Sequence, residues 1–431
     1  MKLMIDAKLL RENPDKIKEG IAKKKADPAL VDDFLRLDEE WRKATAELET
    51  VRVAQKKASA ERNIEEGKRL KGEEKALEEK VGVAEASRNA AWIKIPNPPF
   101  DWVIKGDSDA DNKILREVGE KPKFDFKPKD YVEIAESLGL IDTERAAKVS
   151  GSRFAYLKGD LVRLEFALGQ FLFETVMSSE TLAKIAKDAG LEVSDKTFVP
   201  VLPPVLIKRE AMAGMGYMER GGDEIYRLEK DDMYLVGTSE QSIGPMHSGE
   251  VLDIKELPLR YVGFSTCFRR EAGSYGKDTK GILRVHQFNK FEMFSFIEPE
   301  KSEAEHKFLL AIEEYLMKEL GIPYHVLDIC GADLGDPAAA KWDIEAWLPG
   351  QKGGEGEYRE THSTSNTTDF QARRLNIKYK SADGAKFIHM LNGTAFSERP
   401  LIAIIENFQT AEGKIKVPKI LQKYLGKEEM G

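Results

Sequence analysis

Between Phe34 and Ala58 one pattern decides how the first part of the chain can fold. Phe34, Leu37, Trp41, Ala44, Leu48, Val51, Gln55 and Ala58 return at alternating spacings of three and four, with Glu, Lys and Arg filling the gaps. That is a heptad seam sustained over more than three repeats, and it requires a partner helix along its length. The pattern breaks at 63–67 and resumes with Leu70, Leu77, Val81, Ala84 and Ala91. Two such stretches joined by a short turn make an antiparallel helical hairpin spanning about 31–94. Helices of about 30 residues run about 45 Å, too long to be buried in one globular core, so the hairpin is expected to project into solvent. Upstream, Asn13-Pro14 is expected to cap and open a short helix. Downstream, the prolines of IPNPPFDW (95–102) end the second long helix in a stiff connector.

The seam alone leaves the hairpin's role open: it suits a dimerisation coil or a spacer. Toward its turn the exposed positions carry Arg52, Lys56, Lys57, Arg62, Lys68, Arg69 and Lys71. These form either an ordinary solvated face or an arm that neutralises phosphates. Whole-chain charge does not choose, because the net is -8 and any nucleic-acid contact must be local.

At 431 residues the chain exceeds one ordinary core. A division into 1–105, containing the arm, and a second domain over 106–431 is expected. Cys267 and Cys330 suggest no disulfide framework, and the six histidines show no metal-ligand spacing. The N-terminus lacks an apolar targeting core, and no run of about 18 apolar residues occurs, so a cytoplasmic protein without membrane partners is the expectation.

Beyond the acidic loop GDSDADN (106–112) the pattern is mixed. Helical periodicity covers 161–176. Strand-like runs fall at 198–202, 261–271, 284–297 and 401–405. Helices and strands do not alternate strictly, which argues for an α+β fold with a largely antiparallel sheet flanked by helices.

The chemistry concentrates in 257–296. As a hairpin, Cys267, Arg269 and Glu271 point the same way on one strand, and Arg284, Phe288 and Glu292, spaced by four, share a face on the returning strand, so that one face carries them together. The loop between them, 272–282, holds three glycines with Lys277 and Lys280. Two guanidiniums, two carboxylates and a ring on one surface make a poor structural face, since unpaired buried charge costs several kcal/mol, roughly. A ligand with phosphates, a π-face and an amine would satisfy it.

FRRE followed by Arg284-xxx-Phe288-xxx-Glu292 resembles the second signature motif of class II aminoacyl-tRNA synthetases, and REAGSYGKDTKGILRVHQF resembles the seryl-tRNA synthetases in particular. The resemblance implies that Arg269 grips the α-phosphate of ATP, Glu271 lies by the adenine amino group, Arg284 holds the γ-phosphate and Phe288 stacks on adenine. Glu292 would take the serine ammonium, with Arg269 also beside the serine. LVGTSEQSIGPMH (235–247) resembles the loop whose Thr238 and Glu240 close over the amino acid, although Thr-Ser-Glu is also an ordinary helix cap. YRETHSTSNTTDFQARR (358–374) resembles the strand whose Glu360 and Ser363 hold Mg²⁺ against the phosphates. LNGTAFSERPLIAIIENFQ (391–409) resembles the third class motif. Its Arg399 would bind phosphate, while Asn392 and Thr394 would line the serine pocket. Many members have one more residue before that arginine, so the register of Arg399 is a point for the structure. Pro200 fits either the first class motif, at a homodimer interface, or an ordinary edge strand.

What the resemblance implies as a whole is a serine–tRNA ligase. Serine would attack ATP to give seryl-adenylate and pyrophosphate. The seryl group would then pass to the 3′ end of serine tRNA, and of selenocysteine tRNA where one exists. Arg269, Arg399 and Glu360 would carry the catalysis. The basic arm would lie along the long variable arm of the tRNA, read by shape and backbone. DNA is not an expected partner. Three rivals remain: an amino-acid-activating relative that serves no tRNA, which would have no use for the hairpin; a non-catalytic RNA-binding relative; and a synthetase for a neighbouring amino acid such as threonine or proline, whose families fit neither the long hairpin nor the 272–288 loop.

Overall fold

The computed structural model describes residues 5–219, 222–272, 278 and 280–431. Gly273, Gly276 and Lys277, noted above in the loop, lie outside the described residues. The described residues divide into two compact units, 5–101 and 102–431.

In the first unit, α1 (Ala7–Glu12) and α2 (Pro14–Lys23) precede the long pair α3 (Ala29–Ala60) and α4 (Ile64–Trp92). Pro14 opens α2, although the Asn13 side chain makes no capping bond. Along α3 the seam faces inward: Phe34, Ala44, Leu48, Val51 and Ala58 are buried, and Leu37, Trp41 and Gln55 half-buried. The turn is shorter than the break in the pattern. It occupies 61–63, and α4 already begins at Ile64. Asn63 accepts from the Glu66 N–H at 3.1 Å, and Glu65 and Glu66 sit in the first turn, where carboxylates favour the positive helix end. Ile64 is simply exposed.

The second unit is built on a sheet whose strands, in chain order, are β1 (Lys113–Val118), β2 (Val199–Val201), β3 (Leu259–Phe268), β4 (Gln287–Ile297), β5 (Tyr324–Asp328), β6 (Ala340–Leu348), β7 (Glu357–Asn366) and β8 (His389–Ser397). The spatial order is β1-β5-β6-β7-β8-β4-β3-β2. All pairs are antiparallel except β2 with β3. Helices α5 (Asp160–Val176) and α6 (Ser302–Leu320) back one face. Gly393 of β8 faces Glu313 of α6, and Phe291 of β4 lies against Gly169 of α5. Side chains alternate along a strand, so Asn392, Thr394, Lys290 and Glu292 belong to the opposite face.

One expectation fails. Residues 401–405 are not a strand but the centre of helix α7 (Arg399–Asn407), with Pro400 in its first turn. The segment is buried on all sides, and an apolar run of that kind carries no period by which to tell strand from helix.

Candidate active site

A cleft of about 620 Å³ opens on the sheet face away from α5 and α6, within the size range of small-ligand sites. Thr238, Glu240, Arg269, Glu271, Arg284, Phe288, Glu292, Glu360, Ser363, Asn392, Thr394 and Arg399 all line it.

Two irregularities in the sheet make this possible. Between β6 and β7 the register slips, Glu345 opposing Glu360 while Ile344 opposes His362. The extra residue, Thr361, resets the alternation, so Glu360 and Ser363 face the cleft together although three apart. The same happens on β8: Phe291 pairs with Phe396 and Glu292 with Thr394, leaving Ala395 as the bulge. Thr394 and Ser397 therefore both line the cleft. The tighter segment before Arg399 still delivers its guanidinium, which donates to the Glu360 carbonyl at 2.9 Å and lies 3.2 Å from its carboxylate.

At one end, the Arg269 guanidinium sits 5.2 Å from the Phe288 ring centre and donates to the Gly237 carbonyl at 3.1 Å. Strand β3 ends at Phe268, so Arg269 and Glu271 are not strand residues as expected. Glu271 takes a left-handed backbone (φ 52°) and its carboxylate meets Arg284 at 2.8 Å. Cys267 is fully buried and is not among the lining residues.

At the other end, Glu292 is buried and ion-paired with Lys290. Glu240 accepts from Tyr217 at 3.0 Å and Gln371 at 2.8 Å. Burial, then the charge of Glu292, pushes the Glu240 carboxyl up to about 7. Glu360 behaves oppositely. Burial disfavours its charge, but Arg399 and Lys341 outweigh this and hold its carboxyl well below the usual range. Lys341 is itself positioned by Asp343 at 2.9 Å.

No group of three or more His, Cys, Asp or Glu side chains able to hold a metal occurs among the described residues. Glu360, kept ionised, and Ser363 offer one carboxylate and one hydroxyl. That donor set suits Mg²⁺, which commonly takes one or two carboxylates and fills its shell with phosphate oxygens and water.

Sequence reasoning missed Lys290, Lys341, Tyr217 and Gln371. Lys290 could have been found, since it lies between Phe288 and Glu292 at strand spacing. Tyr217 comes from a distant segment with no local signal, and Gln371 lies within 358–374 but on the helix Phe370–Leu375 that follows the strand of Glu360 and Ser363.

In the first unit, two of the basic residues proposed for the arm are engaged internally. Arg52 pairs with Glu74 at 3.1 Å and Glu78 at 2.9 Å, which ties the two helices together. Arg69 pairs with Glu66 and Glu73 on its own helix. Lys56, Lys57, Arg62, Lys68 and Lys71 are exposed.

Residues 4–99 match the family model for the seryl-tRNA synthetase N-terminal domain, and residues 225–408 match that for the class II tRNA synthetase core domain serving G, H, P, S and T. The serine–tRNA ligase of Clavibacter sepedonicus is 45% identical, over 98% of this chain and 97% of its own. That of Mycobacterium marinum is also 45% identical, over 99% of each. Among solved structures, the Pyrococcus horikoshii seryl-tRNA synthetase complexed with ATP superposes with a TM-score of 0.89 at 37% identity, covering 99% of both chains. The cytoplasmic serine–tRNA ligase of Naegleria fowleri in complex with AMP gives 0.86 at 36% identity, covering 100% of this chain and 99% of its own.

Proposed function

The chain belongs to the seryl-tRNA synthetase family, and from that premise we propose specific roles for the residues of its cleft. The activity is that of an ATP-dependent serine–tRNA ligase, with serine, ATP and tRNA as substrates and Mg²⁺ as the family's usual metal.

Activation needs no protein nucleophile, because the attacking serine carboxylate is already an anion. The protein's part is positioning and charge stabilisation. Arg269 faces the α-phosphate and lies against Phe288, which stacks on adenine, while Glu271 meets the adenine amino group. Arg284 and Arg399 hold the departing pyrophosphate. Glu360 and Ser363 would hold Mg²⁺, which supplies further neutralisation of phosphate charge when bound. Glu292 and Glu240 receive the serine ammonium, and Thr238 closes beside it. Asn392 and Thr394 meet the hydroxyl. A site built for that hydroxyl discriminates against alanine because its own polar groups would otherwise go unpaired. The observation that carries this reading is the convergence of Arg269, Glu292, Glu360 and Arg399 on one cleft.

For the arm, the exposed Lys56, Lys57, Arg62 and Lys68 are assigned to the tRNA backbone, with Arg52 tying the two helices together and Arg69 engaged along α4. The chain is assigned a homodimeric state. Support comes from β2, an open sheet edge with Val199 and Leu202 55% and 80% exposed around Pro200. A cytoplasmic location belongs to the same proposal; both cysteines are free.

Pyrophosphate exchange into ATP, run with serine, threonine, alanine and glycine, tests the assignment. Exchange with serine alone supports it. Exchange with none of them favours a non-catalytic RNA-binding relative.

A further inference from the structure

Backbone pairing between β4 and β8 ends at Lys290 with Ser397. One residue further, the Asn289 N–H donates to Glu398 Oε1 over a long 3.4 Å. The side chain of Glu398 thus extends the ladder by one rung after the backbone has stopped supplying them. Asn289 is held from other sides as well. Thr266 donates to its Oδ1 at 3.0 Å, and its side chain lies beside the carboxyl of Glu165 on α5, whose charged form it favours. Two carboxyl groups therefore flank one asparagine.

Both belong to residues only 8% exposed, and the charged group facing Glu398 is Glu165. Neither carboxyl has a cation within 4 Å among the described residues. Arg399, next in sequence, turns instead to Glu360. Two buried, unpaired carboxyls cannot both ionise cheaply. Burial, then the neighbouring Glu165, pushes the Glu398 carboxyl up to about 8.

The contact joins two parts of the cleft. Asn289 follows Phe288, and Glu398 precedes Arg399; Phe288, Glu398 and Arg399 all line the cavity. We propose that Glu398 is a positioning residue of the ATP site: its carboxyl fixes the strand end bearing Phe288 against the start of α7 and leaves Arg399 to the triphosphate. This rests on the reading of the cleft as an ATP site. Ionised, Glu398 would set a negative charge in the wall facing the phosphates and would compete with them for Arg399.

The test is the KM for ATP in serine-dependent pyrophosphate exchange, followed from pH 6.5 to 9 for the full-length enzyme and three variants. In the unsubstituted enzyme KM rises on the order of tenfold above pH 8, as proton linkage requires when the neutral form binds, while kcat follows a different profile. Glu398→Gln, which keeps the shape and stays neutral, flattens the rise. Glu398→Ala has a raised KM at every pH and no rise. Glu165→Gln, whose site is on the helical side of the sheet, moves the rise to lower pH by removing the facing charge. A Glu398→Gln enzyme whose KM climbs in parallel with the unsubstituted one overturns the proposal while leaving the ATP site standing. Absence of exchange in the unsubstituted enzyme at pH 7 overturns the reading of the cleft and this proposal with it.

Discussion

Arg399 and Glu360 are joined twice, the guanidinium lying 2.9 Å from the carbonyl oxygen and 3.2 Å from the carboxylate of the same residue. The first turn of α7 and the bulged part of β7 thus meet in the cleft, and a cation and an anion are preset there. Phosphates would draw on the arginine, and a divalent ion on the glutamate. Replacing either group, Arg399→Ala or Glu360→Gln, is expected to slow pyrophosphate exchange by about 10²–10³-fold, the scale for losing one preorganised charge-stabilising group. The double variant should lose less than the product of the two, because the groups act as a unit. Steady-state exchange rates check this; full multiplicativity would show the pair to be independent.

Glu240 predicts a pH dependence in serine binding. Its carboxyl stands near 7, and an ammonium is held best by the ionised form. The KM for serine should therefore fall as pH rises through about 7, and Glu240→Gln should remove that dependence. Stability moves the other way. The folded state keeps a proton that the unfolded chain releases near 4.5, so Glu240's contribution is intact below 4.5 and is lost as pH rises toward 7. Urea midpoints for the Gln variant should lack this component of the decline.

Gly169 marks a close approach of α5 to the sheet. A Cβ there would fall 2.5 Å from the tip of Phe291, and Phe291 cannot retreat easily because it is stacked on Phe264 at 4.5 Å. Gly169→Ala should destabilise the protein by about 1–3 kcal/mol through overpacking. Denaturant unfolding measures it, and an unchanged midpoint would contradict the close packing described.

The arm separates two kinds of arginine and lysine. Removing Lys56, Lys57 and Lys68 together should weaken tRNA binding and flatten its salt dependence, by roughly 0.7–0.9 in logarithmic slope for each phosphate that is no longer neutralised. Pyrophosphate exchange should be unaffected. Arg52→Ala should instead loosen the hairpin, seen as faster amide exchange along α3 and α4. Equal effects of the two changes on tRNA affinity and its salt slope would show that Arg52, despite its glutamate partners, touches the RNA.

What could be read in advance follows from periodicity. The hairpin declared itself because a heptad seam admits one geometry over many turns, and Phe34 to Ala58 obey it. Strands β3 and β4 were visible as long runs, and the residues of the cleft were found through the motif that Arg269, Arg284, Phe288 and Glu292 complete. Two bulges were not visible. Strict alternation would send Glu360 and Ser363 to opposite faces, and only the extra residue Thr361 brings them together. The run 401–405 carries no helical period, because burial on every side erases it. Pro400, placed where a helix begins, was the signal available. Lys290 and Lys341 were passed over because a single lysine on a strand ordinarily points to water.

One cleft is proposed to grip a triphosphate through Arg269 and its neighbours while serine sits beside it. Serine-dependent exchange by Arg269→Ala, compared with the unsubstituted enzyme at saturating ATP, tests it most directly. The expected rate is lower by orders of magnitude, with the fold intact by circular dichroism. A folded Arg269→Ala enzyme exchanging at the normal rate would contradict it.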